Sequence, residues 1–160
     1  MPRIGVTGHT DLTGPTTAAV ARALRELLAA HPAEALVGVS CLAAGADTLF
    51  AEAVLDHGGR LEVVLPAADY RARKVRPEHA PAFDRLLGQA ADVRVLPFPA
   101  SGAAAYEAAN ETMLGSCELL VAVWDGQPAA DRGGTGAVVT AARARGLPVT
   151  IVWPAGSARG

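Results

Sequence analysis

The feature that most constrains this 160-residue chain is an alternation between short β-branched runs and longer segments rich in Ala, Leu and Arg. The longer segments repeat their apolar residues with the period of a helix. This alternation is typical of repeated βα units around a parallel sheet. Several short runs are apolar throughout, as expected of strands covered by helices on both faces. The sequence therefore predicts an α/β three-layer fold with a mostly parallel central sheet of about six strands.

The boundaries of the predicted elements follow from these patterns and from residues that start or stop helices. Strands are predicted at residues 3–7, 36–40, 61–65, 93–96, 119–124 and 148–153. Helices are predicted at residues 15–30, 47–57, 81–91, 103–116 and 135–145. Pro15 suits a first helical turn, and Ser101 is a candidate cap for the helix that follows it. Gly58 and Gly146 are the matching helix stops.

The length of the chain fits one domain. We expect that domain to cover residues 1–156, with residues 157–160 as a short tail. Residues 66–81 are the least regular part, mixing basic side chains with Asp69 and Tyr70. This segment is either a mobile lid or a solvated connector, and both interpretations stay open.

Composition disfavours several classes of protein. A net charge of −2 and an aromatic content of 4% make nucleic acid a poor candidate partner. Cys41 and Cys117 lack the spacing of a zinc site. No apolar run approaches the length of a membrane span, and the first residues lack the pattern of a signal peptide. We expect a cytoplasmic protein that does not associate with membranes.

Glycine-rich or polar turns follow three of the predicted strands. Ligands of doubly wound sheets bind outside the carboxyl ends of the strands, near the point where strand order reverses. Three such turns at one edge are able to form a single pocket. The candidate ligand-binding residues in these turns are Gly8, His9, Ser40, Gly45, Asp47, Arg132, Gly133, Gly134, Thr135 and Gly136.

The turn at residues 133–136 gives the sharpest signal. It opens a helix, whose free backbone N–H groups and dipole favour an anion such as phosphate. Thr135 offers a hydroxyl donor, and Arg132 is able to pair with a phosphate through two hydrogen bonds. A purely structural tight turn into the helix is an equally open interpretation.

The residues of the other two turns also have alternative interpretations. His9 is either a ligand contact or a surface residue, and Asp47 is either a helix cap or an acceptor for a ribose or base. A metal site at His9 and Asp11 is disfavoured, because no further His or carboxylate stands at ligand spacing. The sequence therefore predicts no metal site.

Two carboxylates are candidate catalytic groups. Asp125 follows the buried run at residues 119–124, so it stands at a strand end, where sites of parallel sheets form. Glu111 lies on the predicted helix at residues 103–116. Both are able to act in acid–base or electrostatic catalysis, but the sequence does not pair them.

Three segments of the chain resemble the SLOG superfamily, the Rossmann-like group that joins the Smf/DprA DNA-processing proteins with the LONELY GUY nucleoside-phosphate hydrolases. Residues 40–47, SCLAAGAD, are similar to the DprA-type turn S-G-x-A-x-G-I-D, with Cys41 in place of Gly. Residues 136–141, GAVVTA, resemble the G-S-L-I-T-A helix start of the same proteins. Residues 6–9, VTGH, resemble their first-strand V-G-S turn.

The resemblance implies a Rossmann-like fold with a pocket for a nucleotide or nucleotide-derived ligand. The hydrolase branch carries P-G-G-x-G-T-x-x-E, whose Glu serves catalysis. This chain keeps the glycines at residues 133–136, but Ala137 and Thr140 stand in place of the Thr and the Glu. The usual catalytic acid of that branch is therefore missing.

Our leading hypothesis is a small binding domain, a sensor or carrier, for a phosphorylated nucleotide-like ligand. Because the superfamily includes a molybdenum-cofactor carrier, a molybdopterin-like ligand is also implied by the resemblance; no cofactor is expected to be required. The alternative is an N-glycosidic phosphoribohydrolase acting on nucleoside monophosphates, with Asp125 or Glu111 replacing the lost Glu. Single-stranded DNA binding ranks third. A homodimer formed through the Ala-rich helices is a further expectation.

Overall fold

The computed structural model describes residues 2–128 and 134–160, and six strands within these ranges form one sheet. The strands are β1 (Arg3–Gly8), β2 (Val37–Ser40), β3 (Arg60–Leu65), β4 (Asp92–Val95), β5 (Leu119–Val123) and β6 (Val149–Val152). Each differs from its predicted range by no more than one residue at either end.

The connections between strands contain the helices. They are α1 (Gly14–Ala29), α2 (Ala46–Asp56), α3 (Tyr70–Lys74), α4 (Ala80–Gln89), α5 (Ala103–Ser116) and α6 (Thr135–Ala144), with a short 3₁₀ helix at Ala33–Ala35. None of the helices in the described ranges combines the length and the apolar character that crossing a bilayer requires.

The sheet has the strand order β4-β3-β2-β1-β5-β6, and all of its strand pairs are parallel. The chain therefore runs outward from β1 to β4 and then returns to the other side of β1. Strand order reverses between β1 and β5, where Gly8 pairs with Val123 at the carboxyl ends. This reversal is the position at which parallel sheets form ligand sites.

Helices cover both faces of the sheet, as the apolar strands predict. On one face, α1 and α2 bury Leu24, Leu28 and Phe50 against β1 and β5, while α4 covers β3. On the other face, α5 and α6 bury Met113 and Val138 against β2, β3 and β5. Helices and sheet together form the predicted three-layer α/β fold.

The helix ends show where local sequence decides the structure. Pro15 lies in the first turn of α1, and Gly58 and Gly146 have positive φ angles of 91° and 75° just after α2 and α6. These predictions are confirmed. The predicted Ser101 cap is wrong, because Gly102 occupies the N-cap position of α5. The amide and hydroxyl of Ser101 instead donate to Asp69 Oδ1 over 2.7 and 2.8 Å.

Residues 66–81 contain structure that the sequence analysis did not predict. The short helix α3 lies within them, and the side chain of Tyr70 is buried against Phe83 and Tyr106. A five-residue helix is too short for a periodic apolar pattern to reveal it. The hydrogen bonds from Ser101 to Asp69 connect the start of this segment to the loop before α5.

Candidate functional site

The carboxyl ends of β1 and β2, the α3–α4 segment and the start of α6 surround one cleft. The described residues leave about 1330 Å³ there, which exceeds the roughly 300–1,000 Å³ of a typical small-ligand pocket. The cleft therefore has room for a nucleotide-sized ligand. Its polar or charged lining includes Thr7, His9, Thr10, Asp11, Asp47, Tyr70, Lys74, Arg76, Glu78, His79, Tyr106, Asn110, Gln127, Thr135 and Arg159.

Gly8 belongs to this lining, and close packing requires it to be a glycine. A Cβ at Gly8 would lie 2.4 Å from the Cβ of Ala46 and 2.8 Å from that of Val123. Real Cβ atoms do not approach so closely, so any larger residue would push α2 away from the sheet. Gly8 thus sets the position of the α2 N-terminus at the cleft.

His9 is 7% exposed and links β1 to the residue after β5. Its Nε2 lies 3.1 Å from the backbone nitrogen of Asp125. Because the amide N–H donates, Nε2 is the acceptor of this hydrogen bond. The edge of the ring also packs on Trp153, with the centroids 5.6 Å apart. His9 is therefore fixed in position while it lines the cleft.

The turn after β2 is held from inside by Ser40. The Ser40 hydroxyl is fully buried, donates to the carbonyl of Asp47 over 3.1 Å and accepts from the amide of Leu42 over 3.1 Å. Leu42 has φ 56°, a left-handed conformation that a leucine rarely adopts. Ser40 does not line the cleft, so we assign it the role of positioning this turn.

Gly45 joins this turn to the first one. It has φ 78°, and a Cβ there would lie 2.6 Å from the carbonyl oxygen of His9. The next amide, that of Ala46, donates to the same oxygen over 3.1 Å. Gly45 is therefore required by its backbone conformation and by the close contact of the two turns.

Asp47 is a buried carboxylate in the cleft lining, in the first turn of α2. Its Oδ2 accepts a hydrogen bond from the amide of Ala43 over 3.3 Å. Burial removes water from the charged form and raises the pKa of Asp47 from 3.8 to about 7. The side chain is therefore able both to donate and to accept hydrogen bonds near neutral pH. Burial also raises the pKa of the neighbouring Cys41 thiol, which stays protonated.

The α3–α4 segment forms one wall of the cleft and contributes residues that the sequence analysis left without a role. His79 Nε2 lies 3.1 Å from the carbonyl oxygen of Leu42 and 3.5 Å from the hydroxyl of Thr48. Lys74 and Arg76 also line the cleft, and neither forms an ion pair with any residue that the structure describes. This wall carries the carboxylate of Glu78 as well, so its net charge is positive by one, and it is attached to the strained turn.

The start of α6 forms the opposite part of the cleft. Gly134 is the N-cap residue, and Gly134, Thr135 and Gly136 all belong to the lining. The amide of Ala137 makes the first hydrogen bond within the helix, to the carbonyl of Gly134 over 3.0 Å. Arg132 and Gly133, also predicted to bind ligand, lie outside the described residues. The Thr140 hydroxyl donates to the carbonyl of Gly136 over 3.0 Å.

The two candidate catalytic carboxylates lie apart from one another and outside the cleft lining. Asp125 Oδ1 accepts from the amide of Gln127 over 3.0 Å and lies 3.2 Å from His9 Nε2. The hydrogen bond from the amide of Gln127 holds the pKa of Asp125 below its usual value. Glu111 is exposed on α5, where it pairs with Arg145.

Other parts of the lining were missed because their sequence gives no local signal. Tyr106 and Asn110 reach the cleft from consecutive turns of α5. Trp124 lies at the end of β5, with its indole N–H donating to the carbonyl of Gln127 over 2.8 Å. Arg159 pairs with Asp11 over 2.8 Å and brings the last residues to the cleft. Tertiary packing alone places these side chains together.

No group of three or more His, Cys, Asp or Glu side chains within residues 2–128 and 134–160 is arranged to hold a metal ion. The chemistry available in the described part of the cleft is therefore that of a helix N-terminus, cations, aromatic and imidazole rings, and the carboxyl groups of Asp11, Asp47 and Glu78.

Comparison with known sequences gives no match. No protein-family model matches the chain, and no curated protein sequence matches it significantly.

Comparison with solved structures gives clear matches at low identity. DNA processing protein A (DprA) from Streptococcus pneumoniae matches with a TM-score of 0.69 and 20% identity, covering 98% of this chain and 52% of that one. The chain thus spans about half the length of DprA. The molybdenum cofactor binding protein from Rippkaea orientalis matches with a TM-score of 0.60 and 19% identity, covering 94% of this chain and 75% of that one.

A third solved structure, that of TM1055, matches with a TM-score of 0.61 and 16% identity, covering 93% of this chain and 72% of that one. Identities this low establish the fold and nothing finer. DprA, TM1055 and the molybdenum cofactor protein all have the Rossmann-like fold that the three turns predict. The fold of this chain is accordingly the Rossmann-like α/β fold that these three structures share.

Proposed function

We propose that this chain is a binding domain for a nucleotide or nucleotide-derived phosphorylated ligand, which occupies the cleft. One observation carries the proposal: the N-terminus of α6 and the cations Lys74 and Arg76, which lack ion pairs in the described structure, line the same cleft. An anionic group between them would meet a helix N-terminus on one side and positive charge on the other.

The phosphate end of the proposed site is the start of α6. The first amides of a helix have no partner within it, and the helix dipole places partial positive charge there. In α6, the amides of Thr135 and Gly136 precede the first hydrogen bond within the helix. Gly136 has no side chain to hold a phosphate away, and Thr135 adds a hydroxyl donor.

Lys74 and Arg76 supply the second half of the anion recognition. Both side chains are exposed, so approach of a phosphate would not first require breaking an ion pair with a described carboxylate. Arg71, on the same short helix as Lys74, is instead paired with Asp84 over 2.8 Å. Charge-assisted hydrogen bonds to phosphate are about twice as strong as neutral ones.

The remaining lining suits a sugar and a flat ring. The Asp47 carboxyl is able to exchange hydrogen bonds with a ribose hydroxyl or a base nitrogen. Trp124 offers an aromatic face, and Asn110 offers both a donor and an acceptor. Nucleotides and pterin phosphates combine these chemical features, and the molybdenum cofactor binding proteins of the same fold make the second class worth testing.

Binding without turnover is the version of this function that the cleft supports best. Asp125 and Glu111 do not line it, and Thr140 stands where the related hydrolases have their glutamate. Product analysis with any ligand that binds tests this distinction directly. Release of a free base from a nucleoside monophosphate would establish hydrolysis in place of simple binding.

The experiment is a thermal-shift screen of nucleoside mono-, di- and triphosphates, cyclic nucleotides, ADP-ribose-type nucleotides and pterin phosphates. A ligand that binds only the folded state raises the melting temperature by mass action. The test variant is Gly134→Asp: an aspartate at an N-cap favours the helix, but its charge would repel a phosphate. Gly14→Asp is the control, because Gly14 begins α1, has open space around it and does not line the cleft.

We expect one ligand class to stabilise the wild type and Gly14→Asp but not Gly134→Asp. The proposal would be contradicted if no phosphorylated ligand raised the melting temperature, or if a ligand stabilised Gly134→Asp as strongly as the wild type.

A further inference from the structure

Strand β4 is an open edge of the sheet. It pairs with β3 on one side, and no described strand lies on its other side. All four of its residues are exposed, which sets it apart from the buried strands β2 and β5. Such an edge presents unpaired backbone N–H and C=O groups along its length.

The edge also carries apolar side chains. Of the three large hydrophobic residues that are exposed in the described structure, two are Val93 and Val95, at 40% and 50% exposure. Alternation along a strand places both on the same face of the sheet. They form a small apolar patch directly at the open edge.

The other two side chains of β4 carry opposite charges. Asp92 and Arg94 point to the face opposite Val93 and Val95, and neither forms an ion pair with a described residue. In contrast, Arg25 and Arg85 form ion pairs with Asp56 and Glu52, both across helices on the surface. The charges of β4 therefore remain available to an incoming strand.

Backbone geometry restricts how a second β4 is able to pair with this one. The groups that point outward from an edge strand alternate residue by residue. When two copies of this edge pair antiparallel, the residues whose N–H and C=O groups point outward must face each other. Even-numbered residues therefore face even-numbered ones, and one residue lies opposite its own copy. The twofold axis passes between these two copies, and we call this an axis through that residue. An axis through Asp92 places Asp92 opposite its own copy, and an axis through Arg94 does the same for Arg94.

An axis through Val93 has the opposite electrostatic consequence. It places Asp92 opposite Arg94 of the partner subunit, and the symmetry creates this pair twice. Val93 then packs beside its own copy. Directly opposite charges stabilise a strand pair, whereas like charges destabilise it. Among registers centred on the charged part of β4, only this one pairs every charge with its opposite.

We propose that β4 is a homodimer interface, on which a second copy of this chain docks antiparallel with the twofold axis through Val93. The two six-stranded sheets then form one continuous sheet. The residues of β4 do not line the cleft, so the interface and the ligand site are separate surfaces. This interface lies on a strand edge, whereas the sequence predicts a homodimer that forms through the Ala-rich helices.

The test is sedimentation velocity on the full chain, from dilute to near-millimolar protein, with two charge reversals. Asp92→Arg places like charges opposite Arg94 of the partner subunit, and Arg94→Asp places like charges opposite Asp92. Each reversal affects both symmetric pairs, so we expect the dimer dissociation constant to rise about tenfold or more. The matched controls Asp56→Arg and Arg25→Asp make the same changes at an exposed helix pair, and dimerisation should persist in both.

Mixing the two variants gives the sharper result. A heterodimer of Asp92→Arg with Arg94→Asp again pairs opposite charges at both positions, so the mixture should dimerise as the wild type does. Three results would overturn the proposal: a wild type that is monomeric at every concentration, a dimer that neither reversal weakens, or a mixture that stays monomeric. The second would place the interface elsewhere, for example on the helices, and the third would exclude the register.

Discussion

His9 Nε2 and the backbone nitrogen of Asp125 lie 3.1 Å apart, so the imidazole joins the ends of β1 and β5 where the strand order reverses. The cleft begins at this point, and it exists because two neighbouring strands leave in opposite directions. The contact replaces backbone pairing beyond Gly8 and Val123, the last pair of the two strands. A buried side chain thus continues the sheet into the site.

The first prediction concerns this hydrogen bond. His9→Phe keeps an aromatic ring against Trp153 but leaves the Asp125 amide without its acceptor. A fully buried polar group left unsatisfied costs about 1–3 kcal/mol. This contact is part-buried, so the free energy of unfolding in urea should fall by about 1 kcal/mol, the low end of that range. Asp125→Asn is the control, since it keeps the backbone amide and an acceptor for Gln127. If both variants lost the same free energy of unfolding, the contact between the His9 and Asp125 side chains would stabilise the fold, and the hydrogen bond from the Asp125 amide would not.

The second prediction separates backbone strain from steric contact at Gly45. Gly45 and Gly146 have φ angles of 78° and 75°, but only Gly45 has backbone atoms where a Cβ would be. Gly146→Ala should lower the unfolding free energy by about 1–2 kcal/mol, the cost of a left-handed conformation. Gly45→Ala should lower it by clearly more, because the His9 carbonyl must move. Equal losses in denaturant titrations would mean that the two turns separate easily.

The third prediction concerns the pH dependence of stability. The folded pKa of Asp47, about 7, lies above the ordinary value of 3.8, so the native state holds a proton that the unfolded chain releases. The contribution of Asp47 to stability is therefore complete below pH 4 and is lost as the pH rises to 7. A difference of about three between the folded and the unfolded pKa corresponds to roughly 4 kcal/mol in the free energy of unfolding.

Asp47→Asn should abolish this change, since an amide does not titrate and still accepts from Ala43. Urea unfolding of both proteins at several pH values between roughly 4.5 and 7.5 measures this pH dependence of the free energy of unfolding. Glu62, whose pKa is lowered from 4.5 by Arg3, makes stability rise with pH at the low end of this window, which is opposite in sign to the effect of Asp47. A wild type whose stability is constant across the window would contradict the assignment.

The fourth prediction concerns the cationic wall. For the ligand found by the thermal-shift screen, replacing Lys74 and Arg76 together by Ala should weaken binding about tenfold or more and reduce its dependence on salt. Arg73→Ala is the control, since Arg73 is exposed on the same short helix but does not line the cleft. Equal binding by the double variant, measured by isothermal titration calorimetry, would remove these cations from the proposed site.

Sequence reasoning reached much of this fold because its elements carry local signals. The predicted α5 coincides with Ala103–Ser116, and glycines with positive φ end α2 and α6 where predicted. The short helix α3 carries no such signal, since it is held by contacts of Tyr70 with distant residues.

The site was less predictable, because burial and orientation depend on tertiary structure. Ser40 and Gly45, predicted ligand contacts, do not belong to the described cleft lining, and their own contacts hold the two turns together. The sequence does not indicate that Tyr106 and Asn110 line the cleft, because their position there depends on how α5 packs on the sheet. Glu111 lies on the same helix, but it is exposed and pairs with Arg145 outside the cleft lining.

The most direct test of the central claim is isothermal titration calorimetry with a phosphorylated ligand from the screen and with the same compound lacking its phosphate. Recognition at the α6 N-terminus predicts that the wild type binds the phosphorylated form at least about tenfold more tightly, and that Gly134→Asp loses this preference while Gly14→Asp keeps it. Equal affinity of the wild type for both forms, or a preference that survives Gly134→Asp, would contradict the account.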